Sequence, residues 1–506
     1  MKKVFSIFLA VSIFVCSLYS YEFQWDLISS TPVEYRDIKI ADYKTNQPGT
    51  ITYEQMVSDV KELSYILQAG YSGYEDMLAL GFNASDFEES VINSFNPNET
   101  VDTRQFYKAL CSYLKDYIND AHFSINHKFE GQSLCTKKIV FWSDTYLVKT
   151  EDSFYISKSN NPELTPGTKY TDSLEHLYYY PVYGQNCYRV GLLEEYKDIN
   201  TLSKSFNFED KIVELKLQND GSIQQNTFKY HDFETKNSAY ICINYFTMPS
   251  ANDPARKSIE ILFDKFGRCG KKYNNKKNII LDLRHNQGGD LVYPATFFYM
   301  LYNNKDYKDI NELRKQIWDW CDYIICPKNG VYSPVSEQAR FQKYTNLNFT
   351  DVAQNYQNSL NNQKSEPQKQ IIKGTLHNYS SLFKKSKFRG KIIVLIDRAT
   401  VSAGEMTIFQ AKKIFGEDNV YVIGENSYGM SQYWDLITLA LTNSQITVHT
   451  AFRKPILDQY TEWAGEGVGI YPDYWSTGKD LNETIYLLTQ DDEMKAKLKD
   501  IEFRLQ

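Results

Sequence analysis

Ile279-Ile-Leu-Asp-Leu-Arg-His-Asn-Gln-Gly-Gly-Asp290 decides the fold class. Its first part, Ile279 to Leu283, is a compact apolar run of the kind that forms a strand buried on both faces. The turn after it carries Gly288 and Gly289, which let the backbone approach a ligand and leave N–H groups able to face a developing negative charge. Taken alone, the pair reads equally as a tight strand-to-helix turn. Two more runs of this type lie downstream, Ile392 to Ile396 and Val420 to Ile423, and helical patterns follow the first two of the three. Strands alternating with helices from about Ala239 onward predict an α/β layer architecture.

Upstream the text changes twice. From Thr52 to Asp120 the spacing is helical, with Met56, Val60, Leu63 and Leu67 on one face and Phe106, Leu110, Tyr113 and Tyr117 on another. From Lys128 to Lys236 short alternating runs such as Lys138-Ile-Val-Phe-Trp142 and Lys211-Ile-Val-Glu-Leu-Lys-Leu217 predict a β-rich module. The expected organisation is an N-terminal helical region over 21–127, a β-rich middle module over 128–236 and an α/β core over 237–506. Within the core, 303–387 reads as an ordered insertion rich in Asn, Gln and Lys. It holds Trp318, Trp320, Cys321 and Cys326, with a mobile portion expected at Asn361 to Lys369. Its ends join two segments of chemical interest, so it is expected to border the site entrance.

The chain opens with Lys2-Lys3, an uncharged apolar run from Val4 to Leu18, and Ser20. That is the pattern of a secretory signal over 1–20, cleaved after Ser20, and the run is short for a spanning helix. Cys16 is the weaker candidate for a lipid anchor, because Val15 is bulky where such sites take small residues. The remaining seven cysteines contain no CxxC; Cys321 and Cys326 are close enough to pair in an oxidising compartment. At 506 residues, 42% hydrophobic and 24% charged, the chain can bury several cores and is not disordered. The formal charge of −7, made more negative by loss of Lys2 and Lys3, offers no footprint for nucleic acid or anionic membrane.

Two further segments carry candidate chemistry. Asp397-Arg-Ala-Thr-Val-Ser-Ala-Gly-Glu405 follows a buried strand and opens a helix. A serine at a helix start sits among free N–H groups, which suits an oxyanion-forming nucleophile; the plain alternative is that Ser402 is an N-cap. Asp120-Ala-His122 ends the helical region and precedes Phe-Ser-Ile125. A lone histidine there is ordinarily structural. His122 and His127 are five apart and no H-E-x-x-H occurs, so a metal centre is not expected. No cofactor is expected either.

Read together and in order, these segments resemble the tail-specific (C-terminal processing) proteases and the tricorn core proteases. The resemblance rests on the Ile279 to Gly289 segment, on Thr400-Val-Ser-Ala-Gly-Glu405, on Ile423-Gly-Glu-Asn-Ser-Tyr-Gly429 and on Glu466-Gly-Val-Gly-Ile-Tyr-Pro-Asp473. It covers Ala239 to Trp475, and the segment ending in His122 more loosely. It implies a serine peptidase with a crotonase-like (ClpP-like) core. Ser402 matches the nucleophile, and the N–H groups of Gly288 or Gly289 and of Ala403 match the oxyanion hole. The tail-specific branch takes its base from a lysine in G-x-x-x-x-G-K, and here Met430 stands at that position. The tricorn-type branch uses an N-terminal histidine and a glutamate before G-x-x-P-D, which His122 and Glu466 match; Glu462, four residues earlier, competes with Glu466. The implied order is His122, Ser402, Glu466, with the imidazole accepting the Ser402 proton and the carboxylate orienting it. Activity should then fall as pH drops through about 6.5, and a neighbouring carboxylate would raise that midpoint.

Many tail-specific proteases carry a PDZ domain in the middle, and no Gly-Leu-Gly-Phe-type loop occurs between Lys128 and Lys236. A degenerate or replaced PDZ is expected there. The resulting expectation is an exported serine endopeptidase acting on polypeptides, with homo-oligomer formation and peripheral membrane association left open. Two other classes compete. One is a catalytically inactive binding protein on the same scaffold. The other is a crotonase-type acyl-CoA enzyme, which the export signal disfavours.

Overall fold

The computed structural model describes residues 21–22, 37–40, 47–128, 130–196, 200–209, 211–219, 230–249, 253–306, 323–325, 370–372, 383, 386–457 and 460–505. The expected signal with Cys16, the Cys321–Cys326 pair, Trp318, Trp320 and the 361–369 segment lie outside the described residues.

The N-terminal region is helical: α1 (Tyr53–Gly70), α2 (Tyr74–Ala79), α3 (Ala84–Ile92) and α4 (Thr103–Leu114). Thr52 and Gln55 form a capping box that starts α1, and Asp102 caps α4 through the N–H groups of Arg104 and Gln105. Of the apolar faces read from the sequence, Met56, Val60, Leu63, Leu67, Phe106 and Leu110 are buried in one core, while Tyr113 and Tyr117 are half-buried against it and Tyr117 lies beyond the end of α4. That core is completed by Leu439, Leu441, Ile446, Val448 and Ala451 from far along the chain. After α4 comes β1 (Ser124–His127).

The middle region is a small barrel. β2 (Lys138–Thr150), β3 (Ser153–Ser159), β4 (Lys169–Tyr170), β5 (Leu177–Tyr179), β6 (Cys187–Glu195), β7 (Thr201–Phe208) and β8 (Lys211–Gln218) form one antiparallel sheet. The path β2–β8–β7–β4–β3 returns to β2, so the sheet closes on itself, while β6 and β5 extend from the other side of β2. Closure leaves inward positions to fill the interior, and Phe141, Leu147, Ile156, Phe206, Phe208, Val213 and Leu215 do so. No α-helix lies between 138 and 218 among the described residues. Trp142, Tyr178 and Tyr180 pack on Trp475 and dock the barrel against the C-terminal region.

The C-terminal region is the layered α/β structure expected. Its sheet runs β9 (Tyr230–Glu234), β10 (Ser238–Ile243), β11 (Asn278–Asp282), β12 (Lys391–Ile396), β13 (Val420–Gly424) and, at the far edge, Tyr474–Trp475. β9 is antiparallel to β10 and starts before residue 237; every other pairing is parallel. Both faces are covered, as a parallel sheet requires. Ile279, Leu281, Ile392 and Val394 face α5 (Arg256–Lys272), α6 (Val292–Asn303) and α7 (Ala403–Phe415). Ile280, Ile393, Leu395 and Ile423 face Leu481, Ile485, Met494 and Leu498 of α8 (Leu481–Thr489) and α9 (Asp492–Leu505).

The element that joins the regions is a hairpin, β14 (Trp434–Ala440) and β15 (Thr447–Pro455). It leaves the core after β13 and enters the helical region, where β15 pairs with β1. Its turn is gripped by two buried carboxylates of α1: Asp59 accepts the N–H groups of Asn443 and Ser444, and Glu62 that of Thr442.

Candidate active site

Three adjacent parallel strands, β11, β12 and β13, end side by side, and each feeds a loop over the carboxyl end of the sheet. Ligands of open α/β sheets bind at such ends. The β11 loop is Leu283 to Asp290. Gly288 and Gly289 have φ of +74° and +131°, and neither has room for a side chain. A Cβ on Gly288 would lie 2.8 Å from Ser402 Cβ and 3.1 Å from the Ala403 nitrogen; one on Gly289 would lie 2.3 Å from the Phe246 carbonyl carbon. Glycine is required here by contact and by conformation together.

Asn286 holds this loop. It is buried, accepts the Gly288 N–H through Oδ1 (2.9 Å) and donates through Nδ2 to the Ile243 carbonyl (2.8 Å). Its own carbonyl accepts Val401 N–H (2.9 Å), tying the glycine turn to the residue before the candidate nucleophile. The Gly288 N–H is therefore engaged. The N–H groups of Gly289 and Ala403 donate to no acceptor among the described residues.

Ser402 sits on the sharp turn between β12 and α7 with φ 52° and ψ −120°. A non-glycine residue at positive φ is strained, and strained strand-to-helix turns are how nucleophiles are presented at a helix N-terminus. The turn is held by Glu405, three residues into α7 and fully buried. Glu405 Oε2 accepts Ser402 N–H (3.1 Å), Met430 N–H (2.9 Å) and the Ser431 hydroxyl (2.6 Å); Oε1 accepts Gly429 N–H (2.7 Å) and the Ser427 hydroxyl. Burial pushes its carboxyl above the usual range, and the bonds from Ser427, Ser431, Met430 and Gly429 oppose that.

Glu466 makes the second hub. It is buried, and Oε1 accepts the N–H groups of Ser431 (2.8 Å) and Gln432, while Oε2 accepts Ala121 N–H (3.2 Å). Its carbonyl accepts Asn119 Nδ2 (3.3 Å). Glu466 thus pins the segment carrying His122 to the loop after β13. His122 itself is partly exposed, and its N–H donates to Asp120 Oδ1 (2.7 Å). Bonds run from the His122 segment through Glu466 to Ser431, then to Glu405 and Ser402. The three residues expected at the site stand on segments joined by this network.

Asp120 and Glu466 are buried in each other's field. Burial raises Asp120 to about 7, and burial together with the Asp120 charge raises Glu466 well above the carboxylate range. Glu462, the competitor in sequence, is engaged elsewhere: it pairs with Lys412 at 3.1 Å. Three other described histidines have partners of their own: His127 with Thr103 Oγ1 (3.0 Å), His449 with Thr438 Oγ1 (2.8 Å), and His285 with Asp397 (3.2 Å). Lys137, at the foot of β2, donates to the Arg398 carbonyl and lies 4.1 Å above the Tyr428 ring; burial lowers it to about 8. Among the described residues no group of His, Cys, Asp and Glu could hold a metal ion.

Sequence reasoning gave no role to Glu405 or Asn286, although both lie inside quoted motifs. Ser402-x-x-Glu405 is the capping-box pattern, a readable signal for one of them.

Residues 237–475 match the family model described as Peptidase family S41, and this region belongs to that family. The chain is accordingly a serine-type peptidase. Among solved structures, mature CPAF is 12% identical with a TM-score of 0.43, over 89% of this chain and 98% of that one. The photosystem II D1 C-terminal processing protease is 12% identical with a TM-score of 0.36, over 87% and 98%. The tricorn protease is 12% identical with a TM-score of 0.34, over 88% of this chain and 37% of that one. No curated protein matches the chain in sequence.

Proposed function

We propose that the chain is an exported serine endopeptidase with a crotonase-like core that cleaves polypeptides through an acyl-enzyme on Ser402. The observation that carries this is the positive-φ turn at Ser402, packed against the Gly288 backbone beside the N–H groups of Gly289 and Ala403. His122 takes the Ser402 proton as general base and returns it to the leaving amine. Oγ attacks the scissile carbonyl, the carbonyl oxygen gains negative charge, and the Gly289 and Ala403 N–H groups receive it. Collapse of the tetrahedral intermediate breaks the C–N bond, and water then resolves the ester by the same steps. Glu466 supports the base through the backbone of its segment, by the Ala121 bond.

Met430 supports a histidine base, since a thioether accepts no proton at neutral pH. Export is supported by Lys2-Lys3 and the apolar run from Val4 to Leu18; no described helix is long and apolar enough to cross a membrane. The closed barrel, with no α-helix between 138 and 218 among the described residues, supports a module that does not read carboxyl-terminal tails. The test is turnover of casein by wild type and Ser402→Ala, with circular dichroism to show that the variant is folded. Abolished turnover in a folded variant is expected; retained turnover removes the assignment.

A further inference from the structure

We propose that Glu405 is a positioning residue for acyl transfer: it turns the Ser402 N–H into the protein and leaves the Ala403 N–H as the helix-terminal donor to the oxyanion. The proposal rests on the Ser402 reading above and goes beyond it, since it asks what selects the donor.

A helix N-terminus leaves its first N–H groups without intrahelical acceptors. Around Ser402 the first three have separate fates. Ser402 N–H goes to Glu405 Oε2, and Gly404 N–H goes to the Val401 carbonyl at 2.9 Å. Ala403 N–H lies between them with no acceptor among the described residues, 3.1 Å from where a Gly288 Cβ would stand. The same Glu405 oxygen accepts Met430 N–H and the Ser431 hydroxyl. One atom therefore fixes the backbone of the nucleophile turn relative to the loop whose next amides, Ser431 and Gln432, bind Glu466. Without the carboxylate the strained Ser402 peptide can relax, and the Ala403 N–H loses its direction. A donor aimed at the developing charge matters in the transition state and little in substrate binding, so its loss should appear in kcat rather than KM.

The experiment compares full-length wild type, Glu405→Gln, Ser431→Ala and Ser402→Ala on one short peptide amide, with binding of a matched peptide boronate. Glutamine offers one acceptor oxygen and turns an NH2 toward former donors. Ser431→Ala keeps the carboxylate and removes one donor. Expected for Glu405→Gln is a kcat loss on the order of 10²- to 10³-fold, the range for an oxyanion donor, with KM within about 2-fold and boronate affinity reduced in parallel with kcat. Ser431→Ala should lose about 10-fold in kcat in the same pattern, one bond of about 1.4 kcal/mol being worth that factor. A folded Glu405→Gln enzyme with wild-type kcat, or with a loss confined to KM, overturns the proposal. If Glu405→Gln does not fold, unchanged kcat in Ser431→Ala overturns it. Retained activity in Ser402→Ala instead removes the underlying nucleophile assignment, so the two failures are told apart.

Discussion

Glu466 Oε2 accepts the backbone N–H of Ala121 at 3.2 Å, across 345 residues of sequence. That bond sets the residue before His122 against the carboxylate that also holds Ser431 and Gln432 of the loop after β13. It is backed by pairing of β1 with β15, where Ile125 faces Val448, and by the grip of Asp59 and Glu62 on the hairpin turn. The candidate base is thus carried by a helical region whose core is shared with the hairpin.

The base assignment gives the first prediction. His122→Ala should be nearly as damaging as Ser402→Ala, on the order of 10⁴- to 10⁶-fold in kcat. Glu466→Gln should be milder, because a glutamine keeps one acceptor for the amides of the segment. Steady-state turnover of one unfolded substrate by all three variants checks the order. Wild-type activity in His122→Ala would exclude the histidine base.

Met430→Lys placed in the His122→Ala background asks whether the loop still accepts a lysine. Met430 N–H is fixed to Glu405 at 2.9 Å, so the backbone at this position is held as the Ser402 turn is. Partial recovery of turnover is expected, rising with pH as the lysine loses its proton.

Stability should carry the signature of Asp120. Its carboxyl ordinarily titrates at 3.8 and stands at about 7 in the folded protein. Between those values the folded state holds a proton that the unfolded chain has released. Its contribution is complete below 3.8 and is lost as pH rises through about 7. Burial lowers His127, His176 and His449, which act in the opposite sense, so the informative quantity is a difference. The Tm advantage of wild type over Asp120→Asn should shrink from pH 5 to pH 8, measured by calorimetry at intervals. A constant difference would show that Asp120 is not raised.

The glycine turn is tested by Gly288→Ala and Gly289→Ala. The first forces a Cβ to 2.8 Å from Ser402 Cβ at φ +74°, the second a Cβ to 2.3 Å from backbone. Both should abolish fluorophosphonate labelling. Asn286→Ala removes the clasp and leaves the Ile243 carbonyl buried without its donor, costing about 1–3 kcal/mol of stability. Denaturant unfolding beside labelling rates separates the two effects.

Much of the candidate site is readable locally. Ser402 and the Gly288–Gly289 pair follow apolar runs whose length and composition declare buried strands, and chemistry placed at strand ends needs no distant information. His122 enters the candidate site only through the resemblance, because nothing in Asp120-Ala-His122 says what it will face. The hairpin bridging the core and the helical region was not foreseen: strand pairing between Thr447–His449 and Ser124–Asn126 leaves no periodic trace in either segment. Barrel closure was hidden for a related reason. β2 is 13 residues long and pairs with β6, β8 and β3, whereas the sequence pattern showed only its first five residues as a strand. Glu405 and Asn286 were in plain view, but their roles lie in backbone amides, which every residue has and no motif marks.

The most direct measurement is intact-mass analysis of the full-length protein after a fluorophosphonate, followed by mapping of the modified peptide. The proposed mechanism predicts a single adduct on Ser402, absent from Ser402→Ala and strongly slowed in His122→Ala. An adduct on another residue, or labelling that survives Ser402→Ala, would contradict it.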